Sequence, residues 1–212
     1  MITKLVIYGA GGLAKEIFDT IHQINAVKKS YEIICFIDDH NKVESFCGLM
    51  LVNARSFLSQ GYDNVKFVNA GGFPKTRKQI YSNVSRDNMW ETIIHPSAVI
   101  SGSSKILAGC VLQAFTLLAA DSYLGKCCLV NAKSSLGHDS KVDDFTCLSA
   151  FCDITGEASL GRSVFAGTGC KILPNVKIGP DSFLCAGSVV CKDVPAKCKV
   201  MGNPGKIIDY YE

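Results

Sequence analysis

Among the 212 residues of this chain, His138 and Asp139 are the pair whose types and spacing best suit chemistry. An imidazole titrates near neutrality, so it can take the proton that an amine or hydroxyl sheds on becoming a nucleophile. A carboxylate beside it can orient the ring or stabilise its imidazolium form, as a carboxylate does in hydrolytic triads. The chain has four histidines. His22 falls on a helix and His40 in a polar loop, both positions typical of solvated surface. His95 precedes Pro96 at a junction between two differently patterned segments and reads as structural. His138 could itself be a plain surface histidine, so the elements that carry it decide the matter.

Those elements announce themselves by repetition. From residue 98 to 191 the sequence repeats every six residues without interruption. An aliphatic side chain recurs at Ile100, Ile106, Leu112, Leu118, Leu124, Val130, Leu136, Val142, Leu148, Ile154, Leu160, Ile172, Ile178, Leu184 and Val190, with only Ala166 departing. Two residues before each stands a smaller one, such as Cys110, Ser134, Thr146, Cys152 or Ser188. Six is a multiple of the strand period of two and not a helical period. Three short strands and three corners then make an 18-residue coil, and successive coils stack about 4.8 Å apart. The aliphatic residue fills the column and the small residue fits beside it. Glycines after the aliphatic position, as at Gly125, Gly137, Gly161, Gly167 and Gly179, are expected to serve the corners through their backbone freedom. Four of the 11 cysteines, Cys110, Cys128, Cys152 and Cys170, fall in the small inward slot and act there as small hydrophobes. No CxxC pair exists, and neither a metal site nor a disulfide framework is expected.

Steps of 18 place Gly102, Ala120, His138, Gly156, Pro174 and Lys192 in one column along a corner. His138 points outward there between two of the smallest residues, leaving room for a substrate. Lys192, three coils on, could meet a phosphate, although a solvated lysine reads equally well.

The preceding residues, 1–92, read as an α/β Rossmann-like βαβ domain. A strand over Lys4–Tyr8 runs into Gly9-Ala10-Gly11-Gly12-Leu13-Ala14, then a helix over 13–25. A second strand over 32–37 ends in Asp38-Asp39, and a third over 65–70 ends at Gly71-Gly72. A helix with Lys75, Arg77 and Ile80 follows. The Gly9/Gly11/Ala14 spacing satisfies the phosphate-binding fingerprint, in which glycines admit the phosphate and a helix N-terminus favours the anion. Acidic residues closing the second strand suit a ribose or base contact. A turn that merely packs helix on strand is the alternative. A dinucleotide dehydrogenase is excluded by size, because no second mononucleotide unit follows.

Bulk properties narrow the function further. Apolar residues make up 48% of the chain, enough for a packed core, and the net charge of +3 with scattered basic residues excludes a nucleic-acid binder. No run approaches the roughly 18 apolar residues of a membrane helix, and the N-terminus lacks an export signal, so a cytoplasmic protein is expected.

The six-residue pattern resembles the hexapeptide-repeat signature of left-handed parallel β-helix acyltransferases. With the junction His95-Pro96-Ser97-Ala98-Val99-Ile100, the chain is similar end to end to one sugar acyltransferase family. That family includes the bacillosamine-pathway, perosamine and viosamine N-acetyltransferases and the sialic acid O-acetyltransferases. The resemblance implies a left-handed β-helix of about five coils within residues 93–212, in a homotrimer with acetyl-CoA in the groove between neighbouring prisms. It implies N-acetylation of a UDP-, GDP- or dTDP-linked amino sugar, a 4-amino-4,6-dideoxy sugar, by direct transfer and without a metal. O-acetylation of a sugar such as sialic acid is the second reading, and a non-catalytic binding module the third.

By the same resemblance His138, Asp139 and the upstream Asn131 form the catalytic group. A backbone N–H of the coil at Gly156 would meet the acyl oxygen. Gly156, Thr168 and Ala186 would contact pantetheine, and the segments 186–195 and 200–206 would close over CoA. Gly9, Gly11 and Gly12 would approach the nucleotide phosphates, with Asp38 and Asp39 at the base or ribose and Gly71, Gly72 and Arg77 nearby. Cys147 stands where many members carry a second histidine near the acetyl group.

Overall fold

The computed structural model describes residues 2–40, 43–62, 64–84 and 87–210. The repeat folds as its period requires. From Ile93 onward the chain lays down two-residue strands on three faces in rotation, each pairing in parallel with the strand 18 residues away. The first face runs from Ile93–Ile94 to Phe183–Leu184, the second from Val99–Ile100 to Val189–Val190, and the third from Lys105–Ile106 to Lys177–Ile178. Five such pairings in a row join Val99 to Val189, so the expected parallel β-helix of about five coils is the observed architecture.

The repeating aliphatic residues fill the column. Leu112, Leu118, Leu124, Val130, Leu136 and Leu148 are fully buried, as are Cys110, Cys128 and Cys170 beside them. Each such leucine contributes roughly 1.5–3 kcal/mol by leaving water. Ile100 and Ile106 are only partly buried, since they close the upper end of the stack.

The corner glycines have a different cause from the one expected. Backbone freedom is used two residues later, where Cys127, Asp139, Ser163 and Asp181 all hold φ between 49 and 59°. The glycines are there because coils approach too closely for a side chain. A methyl on Gly137 would lie 2.6 Å from the Gly156 nitrogen, and one on Gly125 2.6 Å from the Asp144 nitrogen.

The residues before the column form a five-stranded sheet in the order β3-β4-β2-β1-β5, with β1 Thr3–Tyr8, β2 Tyr31–Ile37, β3 Ser45–Phe46, β4 Leu49–Val52 and β5 Lys66–Asn69. Helices α1 (Gly12–Val27), α2 (Ala54–Ser59) and α3 (Pro74–Val84) connect them. The β3–β4 hairpin and α2 add to the three strands and two helices legible in the sequence.

The sheet and α1 pack on the first face of the prism. Leu5, Ile7, Ala14, Ile17 and Ile21 form one core with Ile93, Val111, Leu129 and Cys147, the outward residues of that face. Thr20 Oγ1 donates to Gln113 Oε1 at 2.8 Å across the same contact. Three edges separate the faces. His138 lies on the edge between the second and third faces, since it falls between strands Ser135–Leu136 and Lys141–Val142. In a three-sided column that edge is opposite the face carrying the first domain.

Candidate active site

Asp139 occupies the left-handed region at the tip of its corner, with φ 57°, a conformation that short polar residues tolerate best. From there its Oδ2 lies 2.9 Å from His138 Nδ1. A carboxylate can only accept, so in the neutral ring Nδ1 carries the proton and Nε2 presents the lone pair. Both side chains are open to solvent, at 64% and 58% exposed. Nε2 lies over the bare backbone of the next coil: a methyl on Gly156 would stand 2.5 Å from it. The Gly156 N–H has no hydrogen-bond partner among the described residues. The imidazole and an unpaired backbone amide are thus neighbours on one exposed edge.

The remaining acyl-side candidates divide between two edges. His138, Asp139, Gly156 and Lys192 line the edge between the second and third faces. Asn131, Thr168 and Ala186 line the edge between the first and second, since each falls between a first-face strand and the next second-face strand. Asn131 holds its corner by accepting from the Ala132 N–H at 2.7 Å. Within one chain the whole second face separates these groups. That face and its flanks expose apolar residues: Val99 (62%), Phe115 (64%), Leu117 (43%) and Phe151 (51%).

The C-terminal segment expected to close over the acyl donor is a hairpin. Strand Cys198–Met201 continues the first face and pairs antiparallel with Lys206–Tyr210. Its turn reaches to the second face, where Val189 N donates to Gly202 O and Gly205 N to Val189 O, beside the edge bearing Ala186.

On the first domain, a cavity of about 230 Å³ opens at the C-terminal ends of β1, β2 and β5. Ligand crevices of open α/β sheets occur at such strand ends. Gly9, Gly11, Asp38, Asp39, Gly71 and Gly72 line it, as the sequence led us to expect. Gly9 needs its residue type: φ is +117° and a methyl would press within 3.2 Å of Ala70. Gly12 is the first residue of α1 and stands just outside the lining.

Both carboxylates are partly committed to the fold. Asp38 accepts from the Ala10 N–H at 2.9 Å and the His40 N–H at 2.8 Å. Asp39 accepts from Asn53 Nδ2 at 2.8 Å and the Ala54 N–H at 3.0 Å. The polar lining residues that escaped sequence reasoning are Tyr8, His40, which was expected on the solvated surface, Thr76, Gln79 and Asn83. The last three share one face of α3 by their spacing, a signal that was available. Asn83 Nδ2 donates to the Tyr8 hydroxyl at 2.6 Å, and burial raises the Tyr8 pKa.

One expectation needs correction: Arg77 does not line the cavity; its side chain is fully buried between the domains, bonded to main-chain carbonyls. Cys147 points out of the first face into the core shared with the first domain, 1% exposed, and burial pushes its thiol up to about 12. A small apolar residue is what that contact accommodates.

Residues 4–84 match the PglD N-terminal domain family. Over 207 residues, 94% of each chain, the protein is 25% identical to a GDP-perosamine N-acetyltransferase of Escherichia coli O157:H7. The acetyltransferase domain of PglB from Neisseria gonorrhoeae FA1090, solved with acetyl coenzyme A, superposes with a TM-score of 0.89 at 27% identity, covering 98% of this chain and 100% of that one. PerB from Caulobacter crescentus, solved with CoA and GDP-perosamine, superposes with a TM-score of 0.86 at 26% identity, covering 99% of both. The chain is therefore homologous, along its whole length, to sugar acetyltransferases, and the expected enzyme class and left-handed β-helix fold hold. No described helix is long and apolar enough to cross a membrane.

Proposed function

We propose that this homologue of the sugar acetyltransferases moves an acetyl group from acetyl-CoA to the amine of a nucleotide-linked 4-amino-4,6-dideoxy sugar, with His138 as general base. One observation carries the reading: Asp139 fixes Nδ1–H of His138, so the basic Nε2 faces the open corner beside Gly156. The sugar amine attacks the thioester carbon while Nε2 takes its proton. The Gly156 N–H meets the oxygen that becomes negative in the tetrahedral intermediate. Collapse expels the CoA sulfur, which recovers the proton from the imidazolium. No acyl-enzyme is needed, and no cysteine shares the column of His138.

The nucleotide fits the first-domain cavity. The N-terminus of α1 opens at Gly11-Gly12, and its unpaired N–H groups favour a diphosphate. That cradle favours a nucleotide-linked amine over O-acetylation of a free sugar such as sialic acid.

The cavity belongs to a domain on the first face, and His138 lies on the opposite edge. A second chain resolves this separation. In a homotrimer, the edge bearing His138, Gly156 and Lys192 meets a neighbour's edge bearing Asn131, Thr168 and Ala186, with acetyl-CoA between them. The apolar side chains of Val99, Phe115, Leu117 and Phe151 supply a contact surface for such an assembly.

The test is thiol release from acetyl-CoA with GDP-, UDP- and dTDP-linked 4-amino-4,6-dideoxy sugars. At least one should be turned over, and His138→Ala should lower kcat by about 10²–10⁴ while the chain stays folded. Near-parental activity in that variant would remove His138 from the mechanism.

A further inference from the structure

Among the described residues, the largest fully buried side chain is a cation, Arg77. Nε donates to Cys127 O at 2.6 Å and one terminal nitrogen to Cys128 O at 3.3 Å, both at the prism edge between the third and first faces. The other terminal nitrogen donates to Asn69 O at 3.1 Å and Gly71 O at 2.8 Å, at the end of β5. These four acceptors are main-chain carbonyls, two on each domain. A buried charge is costly unless its donors are satisfied, and a planar five-donor fork can satisfy them where an ammonium on a flexible stem cannot.

The surroundings tie this fork to one turn. Asn69 Nδ2 donates to Arg77 O at 2.9 Å, and its Oδ1 accepts from the Gly71 N–H at 3.1 Å. Gly71 lies so close that a methyl on it would come within 2.9 Å of the Arg77 nitrogen. Gly71 and Gly72 line the first-domain cavity directly. The guanidinium therefore fastens one wall of that cavity to the prism from beneath, without reaching the cavity itself.

We infer that Arg77 is a positioning residue for nucleotide binding: it holds the Gly71–Gly72 turn in register with the prism so that the cavity is preformed. The inference rests on the proposed reading of that cavity as the nucleotide site. Arg77 touches neither the corner of His138 nor the edge bearing Thr168 and Ala186. Losing it loosens one substrate site and spares the other.

Calorimetric titration with GDP, UDP and dTDP first identifies the tightest nucleoside diphosphate for the unsubstituted chain. Arg77→Met should weaken that ligand by about tenfold or more and raise KM for the nucleotide sugar alike, with KM for acetyl-CoA and kcat at saturation within about twofold. Arg77→Lys should fall between, because it keeps the charge and loses the fork. A purely structural role predicts a lower melting temperature with both KM values unchanged or moved together, and that result would overturn the inference. Should Arg77→Met fail to fold, Asn69→Ala removes the acceptor of the Gly71 N–H without baring a charge. It should also weaken the nucleotide and spare acetyl-CoA; unchanged nucleotide affinity there would be equally fatal. If the unsubstituted chain binds none of the three and turns over none of their amino sugars, the nucleotide reading falls and this inference with it. Binding by the parent with no change in the variants removes the role of Arg77 alone.

Discussion

The imidazole of His138 lies in the space that a side chain on Gly156 would occupy, with a methyl there 2.5 Å from Nε2 and 2.6 Å from Cε1. The residue one coil away thus decides whether the proposed base can adopt its orientation at all. Gly137 approaches the same backbone from the other side of the corner, 2.6 Å from the Gly156 nitrogen if it carried a methyl.

Gly156→Ala should consequently disable catalysis while leaving the fold intact. The ring must swing away by about an ångström, and a misplacement of that size costs about 10²-fold in rate. Steady-state kinetics should show the loss in kcat, with little change in KM for the nucleotide sugar. A variant as fast as the parent would show that the ring has another productive position.

Asp139→Asn separates charge from backbone shape. Asparagine tolerates φ near 57° and can still accept from Nδ1–H, so the corner should survive. The negative charge that stabilises the imidazolium is lost, and an amide NH2 turned toward Nδ1 would select the wrong tautomer, so kcat should fall, by at most the roughly 10⁴-fold that the same change costs a hydrolytic triad. Asp139→Ala should do worse, since it also strains the corner. Equal activity of the asparagine variant and the parent would leave Asp139 a purely geometric role.

Mixing two inactive chains tests whether sites form between copies. His138→Ala and Asn131→Ala lie on different edges, so a mixed assembly contains some junctions with both residues intact. Co-refolding the two should restore measurable thiol release that neither shows alone. A mixture as dead as its components would place both residues in one chain's site or leave Asn131 without a role.

Introducing a histidine at Cys147 should fail. The position is 1% exposed and packed against the first domain, so a larger polar ring overfills it. Overpacking alone costs about 1–3 kcal/mol, and an unpaired ring nitrogen adds to that. Urea unfolding of Cys147→His should report a lower midpoint and no gain in kcat; an equally stable variant would contradict the closed packing described for this contact.

What the sequence made legible follows from what repeats. A stack of identical coils forces the same environment on residues 18 apart, so Leu112 through Val190 and the outward corner of His138 could be read before any coordinates. The Gly9 and Gly71 turns were legible because few other residues take their place. Burial at the domain contact leaves no such mark. Arg77 reads as a neighbour of the nucleotide because it follows the Gly71-Gly72 turn; four carbonyl acceptors arriving from two domains are invisible in sequence. Cys147 has the periodicity of an exposed face position, and only the docked first domain covers it. The glycines after each aliphatic residue were recognised but misread, since a forbidden contact and a permitted φ select the same residue type.

The placement of the first domain on the face opposite His138 also bears on how the protein would lose activity. A solitary folded chain carries a cavity and a base on opposite flanks, too far apart to serve the same sugar. Dilution would therefore silence it without melting it: specific activity should depend on protein concentration under conditions where circular dichroism and intrinsic fluorescence stay constant.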